Sequence, residues 1–428
     1  MKPYGRKVAI LGGSRIPFAR SNGAYAVRSN QEMLTATFKG VVDKYQLHGE
    51  RLGEVAAGAV LKHSRDFNLC RESVLSSGLA PETPANDVQM ACGTGLQSAI
   101  QIANKIALGQ IESGIGGGVD TTSDAPIGVN EKVRKGLLKV NRSKTTGQKL
   151  AALAGINPAL FFAPHIPGNS EPRTKLSMGD HCELMAKEWN IVREDQDQLS
   201  YQSHKSAAAA YEAGFYKDLV VPFSGLERDN NMRGDTTIEK LASLKPAYDK
   251  KSGRGTLTAG NSTPLTDGAS AVLLASEDWA KAHNLKPQAY FAWCETAAVD
   301  FVGKKEGLLM APAYAVPRML ARAGLTLQDF DYYEIHEAFA AQVLCTLKAW
   351  NDPKFCKERL GLDKVLGQID RSKMNVKGSS LAVGHPFAAT GGRIVATLAK
   401  ILEQKGSGRG LISICAAGGQ GVTAILER

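Results

Sequence analysis

Two distant stretches of this chain follow one pattern, and that repetition limits the fold more than any other feature. In the first, Asp87-Val-Gln-Met-Ala-Cys92-Gly-Thr-Gly-Leu-Gln-Ser-Ala-Ile-Gln, an apolar run meets a small-residue helix, then a turn and the run Ile115-Gly-Gly-Gly-Val119. In the second, Gly384-His385-Pro386-Phe-Ala-Ala-Thr-Gly-Gly-Arg opens a similar helix, followed by Gly410-Leu-Ile-Ser-Ile-Cys415. We read an internal duplication of an α/β unit. Two copies packed about a pseudo-twofold axis bring both helix starts to one crevice, where open α/β sheets bind ligands. Cys92 and His385 then become neighbours.

A cysteine at a helix start meets unpaired N–H groups and a partial positive charge, which favour thiolate and can hold an oxyanion beside it. Cys92 is therefore a candidate nucleophile; taken alone, a buried structural cysteine reads the same way. Cys415, in Ser413-Ile-Cys415-Ala-Ala-Gly418-Gly419-Gln-Gly421, is a second reactive thiol at a strand end. Tyr332-Tyr-Glu-Ile-His336-Glu337-Ala338-Phe339 places His336 and Glu337 at a comparable junction.

The segments around Cys92, His336-Glu-Ala-Phe339, Gly384-His385-Pro386 and Cys415-Ala-Ala-Gly-Gly resemble those of the thiolases, which make or cleave 3-oxoacyl-CoA. Ser14-Arg-Ile-Pro-Phe18 and Thr258-Ala-Gly-Asn261-Ser-Thr-Pro-Leu-Thr-Asp267-Gly-Ala269 agree in order and spacing. The resemblance implies an α/β thiolase fold, with two duplicated βαβαβαββ halves in α-β-α-β-α layers. Residues 1–124 and 251–284 would form the N-terminal half, 125–250 an inserted loop domain over the CoA and acyl site, and 285–428 the C-terminal half.

By the same resemblance, His385 takes the proton of Cys92, the thiolate attacks the 3-oxo carbonyl, and an acyl-enzyme forms. Cys415 would protonate the departing acetyl-CoA enolate and later take the proton of incoming CoA. Thiols titrate near enough to neutrality for both transfers. One oxyanion hole would use His385 with a water held by His336, the other the N–H groups of Cys92 and Ala417. Met178, Thr263 and Phe339 would line the pantetheine and acyl pocket. Most thiolases carry Asn at His336 and Gly at Ala417. The His variant resembles the β-subunit-type thiolases of fatty-acid oxidation complexes, and it ties the water to a group that titrates near neutrality. Ala417 keeps its N–H donor, provided no glycine-only conformation is required.

Composition fits a multi-core enzyme: 428 residues, 43% of them hydrophobic. The seven cysteines form no C-x-x-C pair or zinc spacing, so reduced thiols and no structural metal or cofactor are expected, CoA being a substrate. Cys70, Cys182, Cys294, Cys345 and Cys356 read as packing residues. The N-terminal apolar run is too short for a secretory signal, and no segment is long and apolar enough to span a bilayer, so a cytoplasmic enzyme is expected. The formal charge of +10 comes with no nucleic-acid motif, and a basic entrance for CoA phosphates accounts for part of it. Gly93-Thr-Gly95-Leu-Gln-Ser98 lacks the ribose-binding acid of a dinucleotide site.

Within the insertion, Asp180 is read as a helix cap. Residues 132–163 join a basic stretch to an apolar one, the pattern of a membrane-surface or partner contact; a solvated basic loop before a packed helix is the competing reading. The thiolases form dimers and larger assemblies, so a homodimer or homotetramer is expected, with a hydratase/dehydrogenase α-subunit-like protein as a further partner. Three rivals to degradative thiolysis stay open: a biosynthetic acetoacetyl-CoA thiolase, a non-catalytic acyl-CoA carrier, and a Cys-His hydrolase, which gives Cys415 no role.

Overall fold

The computed structural model describes residues 5–428; the first four residues of the N-terminal segment lie outside them. Ten strands form one sheet: β1 (Val8–Arg15), β2 (Ala19–Arg20), β3 (Glu54–Ala57), β4 (Ala85–Asp87), β5 (Ser113–Asp120), β6 (Thr266–Ser276), β7 (Ala289–Ala298), β8 (Tyr332–Ile335), β9 (Arg409–Ala416) and β10 (Gln420–Glu427). The order is β4-β3-β5-β6-β1-β7-β10-β9-β8, with β2 pairing β6. Reading outward from the β1–β7 pair, the halves mirror each other. Each has an antiparallel inner neighbour (β6, β10), then an antiparallel strand (β5, β9), then a parallel one (β3, β8).

The two-residue period of the strands sorts side chains into layers. Along β1, Val8 and Ile10 join a core shared with Leu96, Ala99, Ile394 and Leu398 of the helices Thr94–Ala107 and Thr390–Lys405. Ala9 and Leu11 point to the opposite core, built with Met33, Phe38 and Val41 of the Asn30–Tyr45 helix. On β9, Ile412 and Ile414 face the shared helices, whereas Leu411 and Cys415 face the core of Ala311–Ala323 and Ala340–Trp350. The two duplicated helices thus form the central layer, flanked by sheet and then by outer helices.

Small residues set how closely those central helices cross. A Cβ on Gly391 would lie 2.0 Å from Leu96 N, and one on Gly95 would lie 2.6 Å from Ala388 O. Only hydrogen fits there, and the contact brings the two helix starts together.

The halves differ in one strand. The counterpart of β4 shrinks to a single bridge, Met374 with Tyr333. Asn375, at φ 50°, replaces the missing ladder with its side chain, accepting from Ile335 N–H at 2.9 Å and donating to Ile335 O at 2.9 Å.

The segment between β5 and β6 carries five helices, among them Glu131–Arg142, Thr146–Ala154, Met178–Glu188 and Arg193–Glu212. Ser177, not Asp180, caps the third of these: Asp180 N–H donates to Ser177 Oγ, and Asp180 is the reciprocal acidic member of the capping box. Over 132–163, the basic stretch is solvated as the competing reading has it, but it is a helix rather than a loop, and the helix after it is mostly exposed rather than packed. Glu131–Arg142 and Thr146–Ala154 are both helices, each with one buried residue, Val133 and Ala152.

Candidate active site

Cys92 precedes the Thr94–Ala107 helix on a tight turn. Ala91 is held at φ 45°, a left-handed conformation that is costly for a residue with a Cβ. Thr94 holds the turn, its Oγ1 accepting from Met90 N–H and donating to Ala91 O, each at 2.8 Å. Gly384, at φ 102°, turns the chain into His385, and a Cβ there would meet Thr266 at 2.8 Å. His385 N–H donates to Thr266 Oγ1 at 2.8 Å, so the segment 258–269 fixes the base from behind. His336 ends β8, its N–H donating to Ser413 O at 2.9 Å, and Cys415 lies on the adjacent β9.

These elements converge. Cys92 Sγ and one ring nitrogen of each of His336 and His385 lie within 4.8 Å of one another, and the two rings are 4.1 Å apart. Nδ1 of His385 contacts Thr390 Oγ1 at 2.5 Å and Nδ1 of His336 contacts Ser380 Oγ at 2.8 Å. Both Nε2 atoms are buried without a protein partner, which leaves them for substrate or solvent.

Two influences oppose each other at Cys92. The helix start favours thiolate, while burial pushes the thiol up to about 12. The N–H groups of Ala417 and of Cys92 itself act on the sulfur in the expected direction, and Asp120 opposes them. Burial outweighs the helix start because few polar groups compensate the lost hydration. Cys415 is raised well above the usual thiol range by burial and by repulsion from a Cys92 thiolate. Burial, then Arg393, lowers His385 to about 3; burial, His385 and Arg393 lower His336. Burial thus works against charge on all four groups.

Ala417 has no positive φ, whereas Gly418 and Gly419 do, at 77° and 72°. The substitution of Ala for Gly is therefore accommodated, and the glycine-only conformations fall on the next two residues. Glu171, in the segment between β5 and β6, accepts from Gly418 N–H at 2.7 Å and steadies that loop.

Phe339 and Thr263 meet through backbone: Ser262 bridges Phe339, and Thr263 N–H and Oγ1 both donate to Ala338 O, at 3.1 and 3.0 Å. Thr263 lines a cleft of about 570 Å³ with Arg20, Arg233, Lys240, Tyr248 and Leu381. Met178 is not on its wall; it packs on the apolar cluster that holds Phe339 and Cys415.

Sequence reading missed several supports. Asp120 ends β5, accepts from the N–H groups of Val60, Leu61 and Ala388, and is pushed up to about 7 by burial. Glu337, already singled out beside His336 in the sequence, accepts from Ser203 Oγ, Asn375 Nδ2 and Leu381 N–H, which makes it a structural clamp. Thr390, Ser380 and Arg393 surround the histidines. An acidic residue ending a glycine-rich strand was a usable signal for Asp120; Thr390, Ser380 and Arg393 carry none outside the folded context.

Comparison with known proteins agrees with this geometry over the whole chain. The thiolase N-terminal domain family matches residues 8–278 and the thiolase C-terminal domain family residues 285–428. The chain belongs to the thiolase family. Relatives include the 3-ketoacyl-CoA thiolase of Pectobacterium atrosepticum, 41% identical over 99% of this chain and 97% of that protein. The one from Shewanella sediminis is 42% identical with the same coverage. Among solved thiolases, human mitochondrial 3-ketoacyl-CoA thiolase in complex with CoA superposes at a TM-score of 0.80, with 29% identity over 99% of this chain and 98% of that one. The acetyl-CoA acetyltransferase of Bacillus anthracis superposes equally well, at 0.80 and 29% over 99% of each chain. Shape alone therefore does not separate cleaving from condensing thiolases.

Proposed function

We propose that this thiolase is a 3-ketoacyl-CoA thiolase, using CoA to cleave 3-oxoacyl-CoA into acetyl-CoA and an acyl-CoA two carbons shorter. The observation that carries the reading is the convergence of Cys92 Sγ with both histidines beneath the N–H groups of Cys92 and Ala417. The full-length identity to 3-ketoacyl-CoA thiolases favours this substrate class over the acetoacetyl-specific alternative.

In this mechanism His385 Nε2 accepts the Cys92 proton as sulfur attacks C3 of the substrate. The transfer is uphill in the empty neutral site. Attack moves the charge from sulfur to an oxygen held by the Cys92 and Ala417 N–H groups, which draws the proton across. The C2–C3 bond then breaks, its electron pair leaving with the acetyl-CoA enolate, which Cys415 protonates. Meanwhile His385 and a water on His336 hold the thioester oxygen. In the second half-reaction the Cys415 thiolate takes the proton of CoA, whose sulfur attacks acyl-Cys92. The released Cys92 thiolate recovers its proton from His385.

The cleft lined by Thr263 suits the CoA arm, with Arg20, Arg233 and Lys240 as counter-charges for its phosphates. Met178 and Phe339 act on the acyl side through the cluster they share with Cys415. No resident cofactor or metal has a role in this cycle. The setting we assign is β-oxidation in the cytoplasm, as a homodimer or homotetramer with a hydratase/dehydrogenase α-subunit-like partner. Among the described residues no helix is long and apolar enough to cross a membrane.

Residues 132–163 are assigned to a membrane surface or that partner. Leu137, Leu150, Leu153, Phe161 and Phe162 are exposed beside Lys132, Arg134 and Lys139. Deleting 132–163 should abolish liposome or partner binding; unchanged binding would remove the assignment.

The test of the central reading is intact-mass analysis after mixing enzyme with 3-oxoacyl-CoA in the absence of free CoA. An acyl adduct that disappears in Cys92→Ala supports it, and an unmodified wild-type chain contradicts it.

A further inference from the structure

We infer that Ser380, backed by Arg393, is a positioning residue that fixes His336 as the tautomer with hydrogen on Nε2, so that His336 donates an N–H into the active site. The inference deepens the proposed thiolase mechanism and rests on it for the role of that N–H.

The argument is one of donors and acceptors. Arg393 is 2% exposed, and its guanidinium can only donate. Its Nη2 donates to Ser379 Oγ at 3.2 Å and to Ser380 Oγ at 3.1 Å. The Ser380 hydroxyl therefore accepts from Arg393 and keeps its own hydrogen to place. Among the described residues its one other hydrogen-bond partner is His336 Nδ1, at 2.8 Å. If Nδ1 carried the hydrogen instead, the Ser380 O–H would be a buried donor with nothing to accept it, which is costly. Ser380 thus donates to Nδ1, and the hydrogen of the neutral ring sits on Nε2.

The neighbouring histidine has no such arginine behind its hydroxyl partner. Thr390 Oγ1, 2.5 Å from His385 Nδ1, is held by no other group among the described residues. The proposed mechanism has it accept from Nδ1–H, which leaves His385 Nε2 as the base for Cys92. In that cycle the two imidazoles, 4.1 Å apart, take opposite parts, His336 as donor and His385 as acceptor. His336 Nε2 is buried and has no protein partner, so its N–H is aimed at whatever enters the site. A water that accepts this N–H directs both its own hydrogens outward, one of them to the thioester oxygen. An asparagine at this place presents an amide N–H without help; a histidine does so in one tautomer only.

The test combines nitrogen-15 NMR of histidine-labelled enzyme with kinetics of Ser380→Ala, Ser380→Thr and Ser379→Ala. The signal that His336→Asn removes should show a protonated Nε2 and a bare Nδ1 in the wild type, and lose that pattern in Ser380→Ala. In thiolysis, Ser380→Ala should lower kcat about tenfold with little change in KM, as for loss of a group that orients a catalytic one. Ser380→Thr should restore the rate and Ser379→Ala should match the wild type. In a His336→Asn background, Ser380→Ala should add no further loss. A protonated Nδ1 in the wild type, or equal losses from Ser380→Ala in both backgrounds, overturns the inference. An enzyme with the expected spectrum and no thiolysis would overturn the proposed reaction instead, so the two failures are distinguishable.

Discussion

His336 and His385 stand ring against ring, 4.1 Å between centroids and tilted by 47°, one ending β8 and the other opening the turn into the Thr390–Lys405 helix. Two imidazolium ions could not share that spacing under a buried Arg393. Burial works against charge on both rings and on the Cys92 thiol beside them.

The first prediction follows from that burial. Because the folded thiol is raised to about 12, above its ordinary value, it is protonated through the neutral range and becomes thiolate only as pH climbs. Iodoacetamide labelling of Cys92 should accelerate about tenfold per pH unit between pH 6 and 9, tracking the thiolate fraction. A plateau near pH 7 would reveal a preformed thiolate–imidazolium pair.

Soft divalent cations should inhibit. One sulfur and two imidazole nitrogens within 4.8 Å of one another form a donor set that zinc or cadmium can gather. Micromolar zinc should block both thiolysis and Cys92 alkylation, with recovery on adding EDTA. Inhibition without protection of Cys92 would place the ion elsewhere.

The crossing of the central helices should tolerate no side chain. Gly391→Ala forces a Cβ against Leu96 N and should lower stability by about 3 kcal/mol in urea unfolding. Gly147→Ala, where nothing lies within 4 Å, should be neutral or slightly stabilising. Equal effects would mean that the duplicated helices are not in close contact.

Arg233 lines the cleft assigned to the CoA arm. Arg233→Ala should raise KM for CoA about tenfold, the equivalent of one charge-assisted hydrogen bond, with kcat nearly unchanged. A fall in kcat at constant KM would move this residue from binding to chemistry.

Much of this architecture was legible because it rests on local chemistry. Cys92, His336, His385 and Cys415 each sit where an apolar run gives way to glycines or a small-residue helix, and the duplicated frame carries those junctions to one place. The shortened strand beside β8 was not legible, since Asn375 replaces a ladder through its side chain and left-handed backbone. Nor was the cap at Ser177, because Ser and Asp three residues apart are both capping types and only the folded turn assigns the roles. The opposing influence on the Cys92 thiol was not legible: helix-start polarity is written in the sequence, whereas burial comes from the packing of both halves. Arg393 and Ser380 escaped notice because only the fold aligns them behind His336.

The most direct test of the account is CoA-dependent cleavage of 3-oxoacyl-CoA substrates of several chain lengths by wild type, Cys92→Ala and Cys415→Ala. The account predicts acetyl-CoA from the wild type only when CoA is added, no acyl-enzyme from Cys92→Ala, and a severe loss of turnover in Cys415→Ala. Full turnover without Cys415, or release of free acid without CoA, would contradict it.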